Sequence, residues 1–321
     1  MRLRSLAALG LGLAVMPAPA VAEPAKSSTA SSLEHYQQRH QQLQDIGWRL
    51  VSGNARYCDD AKLSIGLTLQ DMAGFGSPGE ARSAIGLERD FAVETAAADS
   101  PAGLAGLRPN QEVTAIAGHD PNRWPAKDRL DWKRLTRAHD LIDAELATDG
   151  AVELSLGHVQ SPLVIAGKPA CATRFELASN DKGAKAEGAR VVIGEDFVGF
   201  TYPDEELAAA IAHELAHNLL RHRAWLNEHG RKRRNIRLTE READRLMPWL
   251  LANGGYDADA AARFMRRWGP RHDGGIFRAR THDGWDERLE AISAEADLVK
   301  ARMREFAAAD WKLHFRREIA D

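Results

Sequence analysis

The sequence predicts an α+β fold in which a β-rich module precedes a mainly helical module that holds a small sheet. Between residues 57 and 168, short apolar or alternating segments are separated by turns rich in Gly, Pro and Asn, which is typical of strands. After residue 200 the apolar residues recur at helical spacing instead. The 321 residues are enough for two hydrophobic cores. We therefore divide the chain into residues 1–22, 23–56, 57–168 and 169–321.

The first 22 residues have the pattern of a cleavable secretory signal. Arg2 and Arg4 precede the apolar stretch from Leu6 to Val15, and Ala20-Val21-Ala22 forms a small-residue cleavage site. The apolar stretch is too short to span a bilayer, so no transmembrane segment is expected in the mature chain. We expect an exported protein, with a bacterial periplasm as its compartment. Cleavage removes two positive charges and takes the formal net charge from −3 to −5, which gives no reason to expect a nucleic-acid partner.

Residues 23–56 are expected to form a flexible leader and a polar helix. Residues 23–32 are mostly Ala, Ser, Thr, Pro and Lys without an apolar face, whereas residues 33–50 are rich in Gln. The apolar positions of this helix are Tyr36, Leu43, Ile46 and Leu50. With so few apolar side chains, the helix must pack against another part of the chain.

Residues 57–168 have the element order of a known peptide-binding domain. The strand-like segments are Leu63–Leu69, Phe91–Val93, Val113–Ile116 and Val152–Leu156, and a helix is expected from about Leu130 to Leu146. The turn from Ser100 to Pro109 reads S-P-A-x-x-A-G-L-x-P, so this order resembles a PDZ domain of the bacterial protease type. Asn110-Gln111 stands where such domains usually have Gly-Asp, and asparagine tolerates the same left-handed turn.

The PDZ resemblance implies a groove that binds an extended C-terminal peptide between a strand edge and a helix. Ile65, Gly66 and Leu67 would then belong to the loop that receives the terminal carboxylate. The alternative is a degenerate groove, in which the module only packs against the rest of the chain. The insertion from Ala73 to Leu87 is expected close to the groove and could cover it.

The strongest chemical signal is the H-E-x-x-H motif from His213 to His217. Residues four apart on a helix share a face, so His213 and His217 can bind one metal ion while Glu214 reaches a water on it as a general base. Thr201-Tyr202-Pro203-Asp204 resembles a capping box that would start this helix. The alternative is a pair of solvated or hydrogen-bonded histidines. The helix also has an apolar stripe, formed by Leu207, Ala210, Ile211, Leu215 and Leu219.

A zinc hydrolase needs a third protein ligand. Leu220 and Arg223 replace the glycine and histidine that a metzincin would require, which excludes that class. One helix further on, Glu240 and Asp244 share a face, so Glu240 can be the ligand and Asp244 can orient a ligating histidine. The alternative for this acidic cluster is a solvated helix start.

Several motifs of the C-terminal module occur together in one family. They are Asp204-Glu205-Glu206-Leu207, His213 to Asn218, Glu240 to Arg245, Gly255-Tyr256-Asp257 and Thr281-His282. Residues 185–295 thereby resemble the gluzincin peptidases that include the CaaX prenyl proteases and the bacterial stress proteases HtpX and BepA. The resemblance implies one zinc ion on His213, His217 and Glu240, with Glu214 as the catalytic base. It also implies that Val191, Val192 and Ile193 form the edge strand along which substrate lies.

Two other histidines lead to different expectations. His282 stands in Thr281-His282-Asp283, where the family often has Thr-His-Pro and a histidine able to swing toward zinc. It would either stabilise the oxyanion, or lock the open metal position, or be a solvated loop residue. His222 is half a turn out of phase with His213, so we expect it to be exposed, and we expect Glu242 to point away from the ligands.

Cys58 and Cys171 are the two cysteines of the chain. In an exported protein this pair favours a disulfide over two free thiols, although the spacing does not show that they approach each other. If they are joined, they bracket almost the same stretch as the PDZ-like module.

The predicted function is an exported zinc-dependent endopeptidase that hydrolyses unfolded or misassembled proteins of the cell envelope. Its partners would be extended polypeptides, with a C-terminal peptide possible in the PDZ-like groove. The alternative is a non-catalytic or latent peptide-binding chaperone in which zinc is structural or locked.

Overall fold

The computed structural model describes residues 28–126, 132–272 and 284–319. These residues form a mixed α+β structure with small sheets, which confirms the α+β class. No helix in these three ranges is long and apolar enough to cross a membrane. The expected secretory signal and His282 lie outside the described residues.

All strands of the described residues lie before residue 195, and helices follow one another after it. The helices are α1 (Ser28–Asn54), α2 (Pro78–Ile85), α3 (Pro101–Leu104), α4 (Lys133–Asp149), α5 (Asp204–Leu219), α6 (His222–His229), α7 (Arg233–Asn253), α8 (Ala260–His272), α9 (Trp285–Phe306) and α10 (Trp311–His314). The strands are β1 (Lys62–Ser64), β2 (Leu67–Asp71), β3 (Phe91–Ala96), β4 (Val113–Ile116), β5 (Ala151–Leu156), β6 (Leu163–Ala166), β7 (Lys168–Ala170), β8 (Arg174–Ala178), β9 (Ala184–Ala186) and β10 (Arg190–Gly194). Helices α5, α7, α8 and α9 pack against one another.

The polar helix expected near the start of the chain is α1, and it contacts both halves of the structure. Leu43 and Leu50 are fully buried, and α1 packs against β3 and β7 as well as against α5 and α7. The side-chain amide of Asn54 donates to the carbonyls of Leu50 and Leu250 at 2.9 and 3.0 Å. The helix therefore finds the tertiary partners that its few apolar residues require.

Residues 62–166 contain two antiparallel sheets around a buried cluster. β2 pairs with β3, and β5 lies between β4 and β6. Helix α4 packs against β2 and β5 and is followed by Gly150, whose φ of 73° makes it a left-handed cap. The cluster includes Phe91, Leu107, Val113, Ile116, Leu146 and Leu154.

The loop predicted to bind a peptide carboxylate is a tightly packed turn. Ile65 is 2% exposed, and the carbonyls of Ile65 and Gly66 accept hydrogen bonds from the N–H groups of Ala102 and Ala97. Gly66 has a φ of 65°, and a Cβ at this position would lie 2.3 Å from the Cβ of Ser100, so only glycine fits. A crevice of about 360 Å³ continues from this turn between β2 and α4.

His139 connects α4 to β2 across this crevice. Its Nε2 accepts a hydrogen bond from the N–H of Leu69 at 3.3 Å, which requires a neutral ring. Burial, with the charge of Arg174 nearby, lowers the pKa of His139 from 6.5 to about 4. As the pH falls, the unfolded chain therefore takes up this proton before the folded protein does. We expect stability to fall by about 1–3 kcal/mol between about pH 6.5 and pH 4 from this group alone.

The variant His139→Gln keeps a neutral acceptor for Leu69 and should remove this part of the pH dependence. Urea unfolding at about pH 7 and about pH 4.5 measures the change in the free energy of unfolding. His119→Gln, at an exposed histidine, is the matched control and should retain the wild-type pH dependence. An equal acid-induced loss in wild type and His139→Gln would contradict the assignment.

The prediction that Val191, Val192 and Ile193 form the edge strand is wrong. They lie in β10, which is the central strand of the sheet β8-β10-β9, parallel to β8 and antiparallel to β9. All three side chains are buried, which agrees with their continuous apolar sequence. The edge that packs against α5 is β9, whose short Ala-Lys-Ala sequence has no strand signal of its own.

The predicted disulfide between Cys58 and Cys171 is present. The two Cα atoms are 5.5 Å apart, although 113 positions separate them in sequence. The N–H of Cys171 also donates to the carbonyl of Val51 in α1. The bond therefore joins the segment after α1 to the connection between β7 and β8.

Candidate metal centre

Helix α5 carries the H-E-x-x-H motif within the helical core. It begins at Asp204, and the three acidic residues in its first turn interact favourably with the positive end of the helix dipole. The expected capping box is absent, because the hydroxyl of Thr201 donates to the carbonyl of Val198 instead. The apolar stripe of the helix is fully buried at Leu207, Ile211 and Leu215. Burial of this stripe fixes the rotation of the helix and directs His213 and His217 toward α7.

Three predicted ligands converge between α5 and α7. The Nε2 atoms of His213 and His217 are 3.2 Å apart. They lie 3.4 and 3.6 Å from the carboxylate oxygens of Glu240. Two ligand atoms at about 2.0–2.1 Å from a tetrahedral zinc ion would be separated by about 3.3–3.4 Å. The donor types and their spacing therefore fit one zinc ion, with two imidazoles and one carboxylate as its protein ligands.

Asp244 orients His213, as its spacing from Glu240 predicted. The Nδ1 of His213 lies 3.1 Å from an oxygen of Asp244, and the guanidinium of Arg288 donates to both oxygens of this carboxylate at 2.6 and 2.8 Å. Burial alone would raise the pKa of Asp244, but the charge and hydrogen bonds of Arg288 hold it below its usual value. Asp244 is therefore an anion that accepts the Nδ1 proton of His213 and leaves Nε2 free for a metal.

Glu214 lies beside the ligands and next to the edge strand. Burial raises the pKa of Glu214 to about 7, and the charge of Glu240 adds to this increase while His213 opposes it. The backbone N–H of Ala186 in β9 also opposes the increase, and Glu214 and Ala186 line the same cleft. A carboxylate with a pKa near 7 can both accept and return a proton at neutral pH.

His222 is buried beside the predicted ligands, so the expectation of an exposed residue is wrong. Its side chain is 1% exposed, and its Nδ1 lies 2.9 Å from the Nδ1 of His217. The expectation treated α5 as continuous through residue 222, but the helix ends at Leu219 and Arg221 adopts a φ of 56°. This turn places His222 behind His217. The sequence carries no signal for it, because the left-handed residue is arginine rather than glycine.

A cleft of about 930 Å³ opens onto the three ligand atoms. One wall consists of β9 and its flanking residues, from Lys182 to Glu187. The cleft also contains large apolar side chains, which include Phe197, Val198, Leu226, Phe264 and Trp268. It can therefore accommodate a polypeptide backbone together with apolar side chains near the metal ligands.

The residues predicted for the peptide groove lie apart from this cleft. The crevice beside Ile65, Gly66 and Leu67 shares no lining residue with it. The role of His282 stays a prediction, since this residue lies outside the described ranges. No protein-family model matches the chain, and neither the curated proteins nor the solved structures give a match. The family resemblance therefore also stays a prediction, and the chemistry of the site rests on its geometry.

Proposed function

We propose that this protein is a zinc-dependent endopeptidase that hydrolyses extended segments of unfolded polypeptides. The observation that carries the proposal is the convergence of ligand atoms from His213, His217 and Glu240 within 4.8 Å, beside the half-buried Glu214. Three protein ligands leave one tetrahedral position for water or a substrate oxygen, which is the pattern of catalytic zinc sites. Structural zinc sites generally use four protein ligands.

Hydrolysis adds water across the peptide C–N bond, and Glu214 is placed to transfer the proton. A bound zinc ion would act as a Lewis acid on the scissile carbonyl and lower the pKa of a water molecule. Glu214 takes a proton from the attacking water and delivers it to the leaving amine. With zinc bound, His213 and His217 would both be neutral rings that offer their Nε2 lone pairs to the ion. A Cys nucleophile is not required, and both cysteines are joined in the disulfide.

The free edge of β9 supports an extended substrate. Within the described residues β9 pairs only with β10. An extended polypeptide can add to such an edge through backbone hydrogen bonds. Because Glu214 and Ala186 of this strand line the same cleft, a polypeptide lying there would pass the base. Folded domains rarely offer an unpaired extended segment, so unfolded or misassembled proteins of the envelope are the substrate class we propose.

A second candidate function is non-catalytic peptide binding by a PDZ-like crevice. Over the described ranges β2 pairs only with β3, and its other edge borders the crevice against α4. However, His139 already accepts the Leu69 N–H, and Tyr36 and Trp48 of α1 also line the crevice. A peptide that paired with β2 at this position would have to displace His139. We therefore place this function second.

Digestion of casein or another unfolded protein, with and without a chelator, separates the two functions. An endopeptidase should lose its activity with the chelator and regain it when zinc is added. A peptide-binding protein should leave the substrate intact in both conditions. Absence of chelator-sensitive cleavage by the zinc-loaded protein would contradict the proposal.

Glu240→Gln is expected to weaken zinc binding by at least about 10-fold, because a neutral amide is a poorer ligand than a carboxylate. We expect one zinc ion per wild-type chain and loss of zinc from the variant on dialysis against a weak chelator. Glu228→Gln, at an exposed glutamate of α6, is the matched control and should retain its zinc. Full zinc content in a variant that combines His213→Ala with His217→Ala would contradict the site assignment.

A further inference from the structure

A chain of hydrogen bonds connects His217 to the C-terminal segment of the protein. The Nδ1 atoms of His217 and His222 are 2.9 Å apart, and the Nε2 of His222 lies 3.0 Å from an oxygen of Glu242. Glu242 in turn accepts hydrogen bonds from the guanidinium of Arg317 at 3.0 and 3.1 Å. Its other oxygen accepts the backbone N–H of Ile319 at 2.8 Å.

The direction of these hydrogen bonds follows from the metal position. If Nε2 of His217 binds a metal, the neutral ring carries its proton on Nδ1 and donates it to Nδ1 of His222. His222 must then carry its own proton on Nε2, which points at the carboxylate of Glu242. Each of the two imidazole rings therefore has a single possible tautomer, and the carboxylate of Glu242, which ends this series of hydrogen bonds, specifies both tautomers.

The two central side chains in this series of hydrogen bonds are closed to solvent. The side chains of His222 and Glu242 are 1% and 0% exposed, so neither can exchange its partner for bulk water. Glu242 receives donors from the C-terminal segment, which lies 75 residues or more further along the chain. Without them, Glu242 would be a buried charge that depends on His222 alone, and such a charge is costly.

We infer that the C-terminal segment Arg317–Ile319 is part of the metal-binding apparatus, because it holds Glu242 so that His222 orients the metal ligand His217. The two predicted histidine ligands are thus held in place by different partners. Asp244 contacts His213 directly, whereas Glu242 acts on His217 through a second imidazole. Helix α7 carries the ligand Glu240 and both of these carboxylates. The inference rests on the zinc site of the proposed function but not on peptide hydrolysis.

The test measures zinc affinity by competition with a chromophoric chelator, independently of peptidase activity. Glu242→Gln should weaken zinc binding by about 10- to 100-fold, the range found when a partner of a ligating histidine is removed. Arg317→Met should also weaken zinc binding. Arg317→Lys, which keeps a positive charge, should bind zinc more tightly than Arg317→Met but less tightly than the wild type. Arg316→Met, at the exposed neighbouring arginine, should leave the affinity unchanged.

A purely structural role would give a different result. It would lower the thermal stability of the zinc-free protein but leave the zinc affinity and the visible spectrum of the cobalt-substituted protein unchanged. Wild-type zinc affinity in a folded Glu242→Gln or Arg317→Met variant would overturn the inference. If Glu242→Gln does not fold, Arg317→Met can still be measured, because Arg317 is an exposed residue whose replacement leaves the core intact. A wild-type protein that binds no zinc would instead overturn the metal site itself.

Discussion

Glu214→Gln is expected to abolish peptide hydrolysis while the zinc content stays at one ion per chain. Glutamine has nearly the same size as glutamate but cannot accept a proton from water, and loss of a general base lowers the rate by about 10²- to 10⁴-fold. The three converging ligand atoms belong to other residues, so the metal should remain bound. The measurement combines kcat/KM on an unfolded protein substrate with metal analysis of the same preparation.

The matched control for this prediction is again the exposed Glu228→Gln of α6, which should keep both zinc and activity. Loss of zinc from Glu214→Gln would show that Glu214 is a ligand rather than a base. Undiminished turnover with full zinc would show that another group removes the proton. Either result would change the assignment of this carboxylate without affecting that of Glu240.

Replacing both cysteines by serine is expected to lower the free energy of unfolding by about 4–5 kcal/mol, which is an upper figure from the chain-entropy model. The loop closed by Cys58 and Cys171 spans 113 positions, and long loops are the ones whose closure restricts the unfolded chain most. Urea unfolding under oxidising conditions measures the difference. Because the bond joins the segment after α1 to the β7–β8 connection, both halves of the structure should unfold more readily.

Reductant provides the internal control for this second prediction. The wild-type protein with reductant should approach the stability of the double Cys→Ser variant, whose own stability should not depend on reductant. Thiol labelling of the denatured, non-reduced protein should find no free thiol. Two reactive thiols in exported protein would refute the bond.

The predictions that held depended on short-range geometry. His213 and His217 lie one helical turn apart, and Glu240 and Asp244 lie one turn apart, so each pair shares a helix face wherever the helix packs. Similarly, the apolar positions of α1, such as Leu43 and Leu50, had to be buried against a partner. The disulfide is an exception, because Cys58 and Cys171 are distant in sequence and could be paired only because the chain has no other cysteines.

The predictions that failed depended on neighbours that are distant in sequence. An apolar run such as Val191-Val192-Ile193 marks a buried strand, but it does not say whether another strand lies on each side. The sheet edge that packs against α5 belongs to β9, which is short and built from Ala-Lys-Ala. The position of His222 depends on the left-handed turn at Arg221, for which local sequence gives no glycine signal.

The sequence by itself determined the composition of the candidate metal site, because helical periodicity places the predicted ligands and the predicted base on defined faces of two helices. Only the tertiary structure decided how these faces meet and what supports them. The packing of α5 on α7 brings Glu240 to the two histidines, and Glu242 reaches His217 through His222. Arg317 completes this support from the end of the chain. Such contacts join residues up to 75 positions apart, and their energy depends on burial and on satisfied hydrogen bonds, which no local pattern encodes.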